Sequence, residues 1–184
     1  MAGYVSRQGT ADGLCGIYCL VNFICSRKFP TEFVGQRNAL RYLLESAERL
    51  QLLRPHKIAE GFEWHELLEI FNDVSSRLFS HYIAVPLHLV DEEIDDDGWS
   101  DFFRKVFHER KPGEIALVLN VAGGEHWVLG DSLSEKENGV LVKDSTQKSP
   151  RSTVSRPASA EGLLLCRVGD EKFGHLVRRF QGAK

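Results

Sequence analysis

AGGEHWVLGDSLSEKENGVLVKDS, residues 122–145, contains two β-rich runs, HWVLGDSL (126–133) and GVLVKD (139–144), joined through a short polar stretch. Such runs with so short a connection pair as an antiparallel hairpin. The start of the first strand then lies beside the end of the second, which brings His126 to Asp144. Three more runs of the same kind, HYIAVPLHLV (81–90), EIALVLNVA (114–122) and LLLCRVG (163–169), are each bounded by Gly, Pro, Asp or Ser. Before residue 80 the apolar residues recur at helical spacing instead, over 14–25, 33–53 and 63–78, with Leu40, Leu43, Leu44 and Leu50 marking the second of these. One further helix is expected over Trp99–His108, after the acidic run DEEIDDDG, which reads as a solvated loop and a helix start favoured by the helix dipole. Helices first and an antiparallel sheet afterwards give an α+β fold in a single domain, 1–184. The stretch TQKSPRSTVSRPASAEG, 146–162, is polar and has no periodicity, so it is expected to be a mobile loop.

Composition narrows the function classes. A chain of 184 residues with net charge −3 carries no basic stripe of the kind that nucleic acid or an anionic membrane requires. No window approaches 18 consecutive apolar residues, and MAGYVSRQGTADG lacks the pattern of a signal peptide. The expected location is the cytosol, or a target cell reached by a route that reads no N-terminal signal. Of four cysteines, three lie in CGIYCLVNFIC, 15–25. That clustering does not suit a secreted disulfide scaffold, and free thiols are expected.

Cys15, Cys19 and Cys25 have the spacing C-x3-C-x5-C, which fits a tetrahedral zinc site poorly because 100° per residue carries Cys25 around the helix from Cys15. No metal is therefore expected, and Cys19, Cys25 and Cys166 read as small buried hydrophobes. Cys15 differs in its setting. It follows the polar turn T-A-D-G-L and opens an apolar helix, where unpaired N–H groups and the dipole favour a thiolate, the form that attacks carbonyls. Gly13 and Gly16 are expected to leave room for a substrate. By itself Cys15 could equally be a helix-start cysteine without chemistry, since activation needs a base. Among seven histidines, His56, His65, His81, His88, His108 and His175 lie in ordinary polar or mixed surroundings, whereas His126 follows a Gly-Gly turn at the first residue of a strand. An imidazole there can face a nucleophile with one nitrogen and an orienting carboxylate, Asp144, with the other. The bland alternative for Asp144 is a turn residue. Gly124, in the AGGE turn, would admit a small substrate side chain. Trp127 would wall the cleft or shield the His–Asp bond, unless it is simply a core residue, and Trp64 and Trp99 read as core or surface anchors.

The order Gln, Cys at a helix start, H-W-V at a strand start and Asp at the end of the next strand resembles the papain-like cysteine peptidase superfamily. The likeness is nearest to the bacteriocin-processing (double-glycine-leader) peptidases and related bacterial hydrolases. It extends over the helical-then-sheet arrangement of the chain, with its specific motifs in 8–24 and 124–145. It implies a papain-like fold, no cofactor, and a Cys15-His126-Asp144 triad. It also implies an oxyanion hole made by the Cys15 N–H and Gln8, which stands seven residues before the cysteine where six is usual. ADGLCG is similar as well to the D-G-x-C-L stretch of ovarian-tumour-type deubiquitinases, with Asp12 three residues before the cysteine. That family's third member follows the histidine within a couple of residues, where this chain has Trp127 and Val128, so Asp144 is preferred.

The implied chemistry is acyl transfer on a protein or peptide substrate: cleavage of a peptide or isopeptide bond, deamidation of a glutamine, or transfer to an amine, as in bacterial effectors and toxins. A regulatory protein partner is compatible with it. The rival readings are a papain-like module that only binds protein, and a thiol sensor using Cys15 and Cys19.

Overall fold

The computed structural model describes residues 13–26, 35–78, 81–88, 96–107, 114–121, 126–134, 139–145, 151–157 and 161–168. Within them the order is α1 (Cys15–Cys25), α2 (Gln36–Arg49), α3 (Pro55–Glu60), α4 (Trp64–Leu78), β1 (Tyr82–His88), α5 (Asp96–Phe107), β2 (Ile115–Val121), β3 (His126–Ser134), β4 (Gly139–Lys143), β5 (Arg151–Val154) and β6 (Glu161–Arg167). The fold is α+β. The strands form one antiparallel sheet in the order β1-β6-β2-β3-β4-β5.

Strand alternation sends side chains to two cores. On one face Ala116, Val118, Trp127, Leu129, Leu163 and Leu165 pack with Ile17, Leu20 and Phe23 of α1, Leu43 of α2 and Phe71 of α4. Phe23 meets Phe71 and Tyr82 edge-on, with centroids 5.6 and 5.5 Å apart, the geometry aromatic quadrupoles favour. On the other face Ile115, Leu117, Leu119, Val128, Leu164 and Cys166 pack beneath Trp99, Phe102 and Phe103 of α5. With both faces covered, β2 is buried over six successive residues, which is why its sequence is almost uniformly apolar.

The outer edge of β1 is closed by α4. Asn72 donates from Nδ2 to the Ala84 carbonyl at 3.1 Å and accepts the Ala84 N–H at 2.7 Å, and the Ser75 hydroxyl donates to the Tyr82 carbonyl. These bonds satisfy groups that an open edge would offer to another chain. Asp73 ties α4 to α2, accepting from Ser46 Oγ at 2.6 Å and from Arg49.

Two elements were not expected. One turn of helix, α3, begins with Pro at its first position and buries no residue, so it leaves no apolar period to read. RSTV, inside the stretch expected to be a loop, pairs antiparallel with β4 as β5. A four-residue strand at the sheet edge needs only backbone partners and no buried stripe. The same stretch also supplies the first two residues of β6, while 146–150 and 158–160 lie outside the described residues.

Candidate active site

Three elements converge on one imidazole. Cys15 is the first residue of α1, and its N-cap, Leu14, offers no side-chain cap. The first-turn N–H groups are therefore left to whatever lies in front of the helix, which gives that end of α1 a partial positive charge. His126 opens β3, and Asp144 follows β4 directly. The hairpin does bring these two together: His126 Nε2 lies 2.9 Å from Asp144 Oδ1. Asp144 is 4% exposed. Cys15 is the second group acting on the same imidazole: as a side-chain partner it raises the His126 pKa, while Asp144 engages Nε2.

The protonated imidazole is favoured. The hydrogen bond with Cys15 raises the His126 pKa most, Asp144 raises it further, and burial opposes both without cancelling them. Cys15 itself is buried, with 5% of the residue exposed. One turn along, Cys19 is buried against the group, and desolvation together with Cys15 and Asp144 pushes its thiol well above the ordinary range. Burial alone raises Cys25. All four cysteines are free, and among the described residues no three His, Cys, Asp or Glu side chains are grouped as a metal ion would require.

Two of the glycines expected to leave room for a substrate, Gly13 and Gly16, are closely packed. A Cβ on Gly16 would stand 2.5 and 2.9 Å from the two Leu67 methyl carbons, so the space beside Gly16 is filled by α4. Gly13 donates its N–H to the Ile58 carbonyl, and a Cβ there would lie 2.5 Å from Gly61 N and 2.9 Å from Ala59 O. The chain at Gly13 thus runs against the last turn of α3 and the start of its connection to α4. Gly61 supports this with φ +97°, a conformation that glycine adopts without strain. A salt bridge from Lys57 to Glu66, 2.8 Å, fixes α3 to the first turn of α4. Trp127 is a core residue on the α1 side of the sheet, and its indole N–H donates to the Phe62 carbonyl at 3.0 Å. The same connection therefore contacts the chain on both sides of the site, before Cys15 and after His126.

Gln8 and Gly124 lie outside the described residues. Sequence reasoning placed Cys19 beside Cys15 only as a thiol sensor, and it missed the 58–62 segment and an ion pair between Asp131 and Lys143 beside Asp144. Only the last had a signal, a lysine within an apolar strand.

No family model matches the chain, and no curated protein matches it. Among the described residues no helix is long and apolar enough to cross a membrane.

Proposed function

We propose that the protein is a papain-like cysteine hydrolase that performs acyl transfer on a protein or peptide substrate, most simply as a peptidase or isopeptidase. The observation that carries this reading is a single imidazole joined to a helix-start cysteine on one side and to a buried carboxylate on the other. Each part has a role. His126 takes the Cys15 proton or keeps a thiolate–imidazolium pair, the sulfur attacks the substrate carbonyl, and His126 returns the proton to the leaving amine. Asp144 holds the imidazole orientation and stabilises its charged form. The oxyanion would face the N–H groups at the start of α1, with Gln8 added by the family resemblance; one such donor is worth about 3 to 4 kcal/mol. Water then releases the acyl group.

The same centre would serve a glutamine deamidase, an acyltransferase effector or toxin, or a deubiquitinase-like enzyme. The papain-like binding module without chemistry is the contrasting class. p-Nitrophenyl acetate separates them without knowledge of the substrate. The hydrolase reading predicts a burst of p-nitrophenol with one acetyl group on Cys15, absent in Cys15→Ala and slowed in His126→Ala. Slow acetylation spread over the four cysteines would leave only the binding module.

A further inference from the structure

We propose that the Asp131–Lys143 ion pair is a positioning device for the His126–Asp144 pair: it pins a one-residue bulge in β3 that decides whether Asp144, just after β4, comes to the same side of the hairpin as His126. The inference rests on the triad reading above and adds residues that touch neither substrate nor reacting atoms.

Near the hairpin turn Ser134 pairs with Gly139, Leu133 with Val140 and Ser132 with Leu141; toward the site Gly130 pairs with Val142 and Leu129 with Lys143. Two steps on β3, from Ser132 to Gly130, answer one step on β4, from Leu141 to Val142, so Asp131 is the extra residue. A ladder continued from the turn without it would set Leu129 opposite Asp144. Residues on opposite strands share a face only in matching register, and a slip of one turns a side chain to the other face. In the bulged register Asp144 comes next in line, beside Val128, two residues from His126 and on its side. That diagonal spacing is one which an imidazole and a carboxylate can span, and the 2.9 Å contact is the result.

The bulge is held by its own side chain. Asp131 Oδ2 accepts from Lys143 Nζ at 2.6 Å, and Oδ1 accepts from Ser132 Oγ at 3.1 Å. The Lys143 side chain is 7% exposed. A lysine is rarely buried so far without a partner, and this one is the residue immediately before Asp144. The ion pair thereby ties the extra residue of β3 to the end of β4 at the point where Asp144 leaves it.

The test is an NMR pH titration of the His126 ring in the full chain, with Cys15 alkylation as a second readout. The groups that face His126 are Cys15 from α1 and Asp144 after β4. Lys143→Met has a diagnostic sign. Loss of a nearby cation alone would raise the His126 midpoint, whereas loss of Asp144 from its place lowers it. The proposal predicts a fall toward the midpoint of Asp144→Asn, alkylation of Cys15 slower by on the order of tenfold, the factor one pKa unit carries, and wild-type behaviour in Lys143→Arg. The double variant Asp131→Asn/Lys143→Met leaves no unpaired charge in the sheet and should show the same fall if the single variant does not fold. An unchanged or raised midpoint in either folded variant overturns the proposal. A wild-type midpoint equal to that of Asp144→Asn would instead refute the triad, and the proposal with it.

Discussion

Gly16→Ala tests whether the start of α1 is packed or open. The alanine Cβ would stand 2.5 Å from Leu67 Cδ1, 2.9 Å from Cδ2 and 3.2 Å from Cγ, while carbon atoms in good contact sit about 3.5 to 4.0 Å apart. Leu67 has no exposed surface, so it cannot swing into water. Either its rotamer or the first turn of α1 must yield, at a cost of about 1 to 3 kcal/mol. Alanine's better helix propensity returns at most about 1 kcal/mol. A net loss of roughly 1 to 2 kcal/mol is expected in urea denaturation, with the midpoint lowered and the slope unchanged. Leu67→Ala alone should cost about 2 to 5 kcal/mol, and because the new methyl would occupy part of that cavity, the double variant should lose less than the sum by about 1 kcal/mol or more. A neutral or stabilising Gly16→Ala, or strict additivity, would mean that Gly16 faces open space. It would restore the cleft role first expected of it.

Other outcomes follow from the site. Trp127→Phe leaves the Phe62 carbonyl without its indole donor, so stability should drop by about 1 to 3 kcal/mol; no change in the denaturation midpoint would show that water replaces the indole. Asp144→Asn should keep the fold yet lower the His126 titration midpoint, read by NMR, because Asp144 raises it in the folded chain; an unaltered midpoint would remove the carboxylate from the site. The raised His126 pKa also makes stability depend on pH. Its stabilising contribution is complete below the unfolded histidine value of about 6.5 and disappears as pH rises through the higher folded value. The stability lost in His126→Gln should therefore be largest in acid and shrink toward alkaline pH. A difference that is flat from pH 5 to 9 would contradict it.

The hairpin was legible because its information is local: two β-rich runs, a short polar connection, and His and Asp at ends that antiparallel pairing must bring together. The helices α1, α2, α4 and α5 and the three other expected strands, β1, β2 and β6, declared themselves by local pattern for the same reason. What stayed hidden was register. Unbroken alternation reads Trp127, Leu129 and Leu133 as one face, yet Trp127 and Leu129 pack on α1 while Leu133 packs on the opposite core. The bulge at Asp131 lies between them, and no residue spacing announces it. The roles of Gly13 and Gly16 were hidden differently. A small residue next to the candidate cysteine looks like space for substrate, but what fills that space, Leu67 and the backbone of 59–61, comes from distant parts of the chain. Likewise α3 has no buried stripe, although its last turn and the residues that follow hold Gly13 and Trp127.

The central claim is that Cys15 and His126 form an activated pair. Iodoacetamide is a small probe suited to a residue that is 5% exposed, and alkylation from pH 4 to 9, followed at each cysteine by mass spectrometry in wild type and His126→Ala, tests the pair directly. The account predicts rapid labelling of Cys15 that persists well below the free-thiol pKa of about 8.5 and is lost in His126→Ala, while Cys19 and Cys25, whose thiols burial pushes up, stay unreactive. Labelling of Cys15 that follows an ordinary thiol titration equally in both proteins would contradict it.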